Sequence, residues 1–266
     1  MRASTETTLV PTVWGQGVAR AITSWWYLIH FFAVVTLLAL SPSSYDRRNR
    51  VAVSRHIHTR TWQVLPWFTA LAALLSMVLI RIVVATAQSY GLSQYALQVV
   101  VRVLVLELIP ISAALFVALH AGLAFNAGPV HGNPQAHVSP TRRPGIETLR
   151  QQLVPQLLAD AFSVLALAMV SSAVALVFAY FTVHGPSLWG LPGYTRTVGQ
   201  VFDLQVTLGF GLKTIFFSLA VAVVPAAARL EAQGLAASSR SLQPGAARLF
   251  LVLLFIETAS LVAKYI

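Results

Sequence analysis

Five apolar stretches, separated by polar or turn-rich segments, dominate this chain: about 62–88, 94–126, 156–183, 204–228 and 246–265. An α-helix crosses a bilayer with about 20 residues, so each can span. Apolar runs of this length predict helices rather than a barrel. The second exceeds what a bilayer needs, which predicts tilt, a kink or projection beyond it. A shorter run, Trp25 to Leu40, is closed by Ser41-Pro42. It falls short of roughly 20 residues and opens on tryptophans, which favour the interface. The preferred expectation is an interfacial or re-entrant helix, with a full span as the alternative. A signal peptide is disfavoured because no small-residue cleavage site follows Leu40.

Between the spans, 127–145 is rich in Pro and Gly and predicts a loop. Residues 146–154 suggest a short amphipathic helix, whereas 184–201 and 229–245 are expected to be loops. The fold class is therefore an all-α integral membrane protein. Its parts are an N-terminal segment at 1–21, an interfacial helix with a basic segment at 22–61, and a five-helix domain at 62–266. No tandem repeat is evident.

Composition agrees with the pattern. Of 266 residues, 57% are hydrophobic and 10% charged, too few charges to cover a soluble surface. The net charge of +10 would raise nucleic-acid binding in a soluble protein. Here basic loops held on the cytoplasmic side and facing anionic lipid explain it better, and no nucleic-acid partner is expected. With the N-terminus inside, thirteen basic residues fall in inside segments and two, Arg196 and Lys264, outside. This predicts a cytoplasmic N-terminus and a periplasmic C-terminus. Cysteine is absent, which excludes disulfides and cysteine metal sites.

Ionisable residues within apolar runs are expensive and mark functional positions. Glu107 lies mid-run, three residues before Pro110, whose missing donor favours a kink. Lys213 lies in another span, so the two could neutralise each other, as a structural ion pair or as part of a transport path. Asp203 and Glu257 are further candidate intramembrane acids. Arg81 and Arg102 could snorkel to an interface. Ala114, Ala118 and Gly122 form a small-residue stripe for close helix approach, between chains or within one. The histidines are scattered, with no metal-ligand spacing. There is no Gly-x-Ser-x-Gly or His-Glu-x-x-His, and Gly211-Leu-Lys213-Thr214 lacks the glycine a phosphate loop needs before its lysine. No cofactor is expected on this chain.

The order of these features over about 50–266 resembles the MlaE permease family, the membrane subunits of MCE-type ABC lipid transporters. Glu107-Leu-Ile-Pro110 resembles its Glu-Leu-Gly-Pro element. Ala118 to Ala124 resembles the small-residue continuation, and Ile146-Glu147-Thr-Leu149 a coupling segment. Val154-Pro155-Gln-Leu-Leu-Ala159 resembles a Val-Pro-Arg-x-Leu-Ala stretch. Asp203 and Lys213-Thr-Ile-Phe-Phe217 resemble the fourth-span pattern, and Glu257 falls where the last span carries an acid. Leu106, Ile109 and Gln156 depart from the family's arginine, glycine and arginine. The departures fit a divergent lineage or one half of a heterodimer.

The resemblance implies an elbow helix plus five spans in a bacterial inner membrane, and a second permease chain. It also implies a cytoplasmic ATPase dimer carrying ATP and Mg, docked on about 127–155 through Glu147, Leu149, Arg150 and Pro155. A periplasmic MCE-domain protein and membrane lipid complete the implied partners. A lipid path needs apolar walls and a few polar groups. Leu79, Val83, Tyr90, Leu97, Val101 and Leu108, beside Arg81 and Arg102, could supply them. Tyr90, Glu107 and Lys213 are expected near the cavity. Two other classes compete: a non-transporting scaffold, and a lipid-modifying enzyme, which would need clustered His, Asp or Ser at one depth.

Overall fold

The computed structural model describes Trp26, Ile29, His30, Ala33 and residues 47–126, 154–234 and 244–265. Those four early residues are helical and exposed. The rest of the expected interfacial helix, the 127–145 loop and nearly all of 146–154 lie outside the described residues. No strand occurs among the described residues.

Five helices are long and apolar enough to cross a membrane. Helix α1 spans Arg47–Ser89, so it starts in the basic segment rather than near 62. Arginine is a good helix former, and the apolar stretch that could sit in lipid, Leu65–Ser89, continues the same helix. The chain then reverses at Gly91, whose φ of +69° suits glycine. The second span has three consecutive helical segments in two registers: α2 (Ser93–Val99), a π-helical stretch (Val100–Leu108) and α3 (Ile109–Asn126). Helix α4 spans Val154–His184 and stops at Gly185, with φ +68°.

The expected loop at 184–201 is largely helical. A 3₁₀ turn at Leu188–Gly190 leads into α5, Leu191–Val201. Pro192 does not oppose this, because the first helical turn needs no backbone donor. Helices α6 (Leu204–Gly234) and α7 (Pro244–Tyr265) complete the bundle.

Packing follows side-chain size. Helices α1 and α4 share the most extensive contact. Both bury small groups: Ala72 and Ser76 on α1, and Ala168, Ser171, Ser172, Ala175 and Ala179 on α4. Small residues let backbones approach where lipid supplies no hydrophobic drive. Thr61 Oγ1 and Ser163 Oγ, 2.8 Å apart, add a polar tie.

One core cluster joins Phe68, Ala113, Ala114, Val117, Leu167, Phe217, Val221 and Leu253. Ala114 is fully buried in it and Ala118 packs against it, so these two stripe positions serve packing within the chain. A second cluster holds Ile80, Leu97, Val101, Leu104, Val105, Tyr194, Val201 and Phe210. Helix α7 differs from the others. It lies mainly along α6, and only 11% of its span is buried.

Helix α5 caps the second cluster through Tyr194, whose hydroxyl donates to the Leu176 carbonyl at 2.7 Å. Burial pushes the Tyr194 phenol up to about 12. The fold thus favours the protonated phenol, whose contribution is full below pH 10 and lost as pH rises through about 12. His184 stacks on Tyr180 and meets Tyr194 edge-on. Tyr194→Phe removes one hydrogen bond and should lower stability by about 1 kcal/mol. Gly190→Ala should disturb the cap more, because a Cβ there would lie 2.4 Å from His184 Cδ2. Thermal unfolding of the two purified variants in detergent, each against the parent chain, checks the order.

Candidate functional site

The site begins with backbone geometry. Through Val100–Leu108 the helix is wound in the π register, and the Ile109 N–H donates to the Leu104 carbonyl five residues back. Such widened turns are rare and frequent at functional sites. Pro110 follows at once. In an α register its N–H would serve the Leu106 carbonyl, but proline has none, and its ring crowds that carbonyl. The Leu106 carbonyl accepts from Lys213 Nζ at 3.5 Å. A cation from another helix therefore reaches this backbone acceptor.

That cation organises the cluster. Lys213, on α6, has a side chain only 2% exposed and pairs with Glu107 Oε2. Its Nζ also lies 2.7 Å from Glu257 Oε2, on α7. Lys264, two turns further along α7, donates to Glu107 Oε1 at 3.0 Å. The ring of Phe217, one helical turn after Lys213, lies 5.7 Å from the ammonium. Two carboxylates and two ammonium groups from three spans therefore meet inside the bundle. Isolated charges would be heavily penalised in lipid, and mutual pairing reduces that penalty. The cluster is not sealed, since the Glu107, Glu257 and Lys264 side chains stay 15–22% exposed.

The other expected site residues separate. Leu97 and Val101 are packed in the second core cluster, with Leu79 and Val83 half-buried against it. All four hold helices together here. Tyr90 sits in the turn after α1, 76% exposed, and Arg81, Arg102 and Leu108 are exposed as well. Asp203 stands at the boundary of the fourth span. It is exposed and precedes the span Leu204–Ala228, where its Oδ1 accepts from the Leu204 N–H at 2.7 Å. It stands one residue before the apolar stretch, at the start of α6. Pro155 is buried in the first turn of α4. Glu147, Leu149 and Arg150 lie outside the described residues, as do the side-chain surroundings of Gly122. Leu106 and Ile109 are both buried in the core. Among the described residues, no three His, Asp or Glu side chains gather as metal ligands.

Sequence reasoning counts Lys264 among the outside basic residues rather than at a site, because it stands at the end of the last apolar run. A usable signal was present: Glu257 and Lys264 are seven residues apart, which places them on one helix face.

No curated protein and no solved structure matches the chain. The family described as Permease MlaE matches residues 53–262, a segment that contains Glu107, Lys213 and Glu257 and ends two residues before Lys264. With five membrane-length helices and that match over most of its length, the chain belongs to the MlaE permease family.

Proposed function

We propose that this chain is the permease subunit of an MCE-associated ABC transporter in a bacterial inner membrane. It moves phospholipid or another hydrophobic molecule between that membrane and a periplasmic MCE protein. A cytoplasmic ATPase dimer on separate chains supplies the energy, with ATP and Mg bound there, and a second permease chain completes the pathway. The distribution of basic segments supports an N-terminus in the cytoplasm and a C-terminus in the periplasm.

The observation carrying this reading is the partly exposed charge cluster of Glu107, Lys213, Glu257 and Lys264 inside a permease-family bundle. Apolar helix surfaces suit acyl chains, and a few concentrated polar groups suit a headgroup. Ionisable groups at membrane depth mark substrate pathways.

The test is mild-detergent purification from native membranes, with mass spectrometry of bound proteins and lipids. The expected result is an ATPase, an MCE-domain protein and stoichiometric lipid. Recovery of the chain with neither ATPase nor lipid would overturn the reading in favour of a scaffold.

A further inference from the structure

We infer that Lys264 is a positioning residue that balances the charge of the cluster and fastens α7 across the bundle. Without it, Glu107, Glu257 and Lys213 would leave one uncompensated negative charge. Lys264 supplies the missing positive charge at 3.0 Å from Glu107 Oε1. Its side chain is 22% exposed, so the contact lies at the open edge of the cluster.

The same contact has a mechanical role. Helix α7 packs mainly along α6 and buries only 11% of its span. Glu257 binds Lys213, which stands on that same neighbour. Lys264 instead reaches Glu107 on the π-helical stretch of the second span, linking α7 to a helix beyond α6. Lys264 therefore both adds a second cation to Glu107 and ties the last span to the second.

Charge bookkeeping gives a test that separates this role from simple packing. Lys264→Met leaves the cluster at −1. Glu257→Gln leaves it at +1. The double variant leaves a neutral Glu107–Lys213 pair. All are compared with the parent and with Lys264→Arg, by thermal unfolding of the purified chain. Lys264→Met is expected to lower the folded-to-unfolded ratio by about tenfold or more. The double variant should recover a large part of that loss, and Lys264→Arg should stay near the parent. Additive losses in the double variant, or an unaffected Lys264→Met, would overturn the inference. If Lys264→Met gives no folded protein, recovery of folded double variant supports the inference and its absence defeats it.

Lipid transfer by the same variants forms a second arm that rests on the permease reading, with Lys264→Arg expected to retain transfer. The unfolding arm is independent of that reading, so a failed transport assignment leaves it intact.

Discussion

Lys213→Met is expected to abolish the proposed lipid transfer and to reduce sharply the yield of folded chain. Lys213 is the most buried member of the cluster and touches both carboxylates. Removing it leaves Glu107 with Lys264 alone and Glu257 without its cation. Breaking a buried ion pair from one side destabilises by about 3–5 kcal/mol, because the surviving charge stays buried. The Leu106 carbonyl would also lose its contact with the Lys213 ammonium. Lys213→Arg keeps the charge but changes its shape from a compact ammonium to a planar fork. It should fold better than Lys213→Met while remaining impaired in transfer. Detergent-extracted yield, thermal unfolding and lipid transfer measured side by side decide the matter. Parental values for Lys213→Met in all three would show that the cluster contributes to neither folding nor transport.

The second large effect is steric. Ala114→Leu should destabilise the bundle by at least about 1–3 kcal/mol, the usual range for overpacking. Ala114 is fully buried beside α4 and α6, in the cluster containing Leu167 and Phe217. In lipid, helices associate through close packing rather than by escape from water, so added apolar volume brings no compensating gain. The neighbouring Leu115 is 40% exposed, and Leu115→Ala should be nearly silent. Thermal unfolding of the two variants checks the contrast. Equal melting would place α3 in a looser contact than the one described.

The spans were legible because apolar length is a strong signal and five such runs stood clear of their surroundings. Helix ends were less legible. Hydropathy marks where a chain can sit in lipid, not where its hydrogen-bond ladder begins. The polar run of α1 from Arg47 was therefore read as a separate segment. Helix α5 was hidden by Pro192-Gly193, although Leu191, Tyr194, Val198 and Val201 follow helical spacing.

For the site, Glu107 and Lys213 stood out as charges in apolar runs. Their contact with Glu257 needed the fold, because partner choice among three spans is a matter of tertiary packing. Leu97 and Val101 look like path walls in sequence, since lipid-facing and core-facing valines or leucines are compositionally alike. The π register of Val100–Leu108 also shifts every facing relative to an α-helix, so an α-periodic reading of this stretch misassigns its sides.

Equal numbers of carboxylates and ammonium groups in the cluster have an electrical consequence. A membrane potential acts on each elementary charge with about 2.3 kcal/mol per 100 mV across the full bilayer. Two positive and two negative groups that move together feel no net force from it. Any displacement of Glu107, Lys213, Glu257 and Lys264 as one body is therefore indifferent to voltage. The paired cluster can shift in depth without drawing on, or working against, the resting potential of the cell.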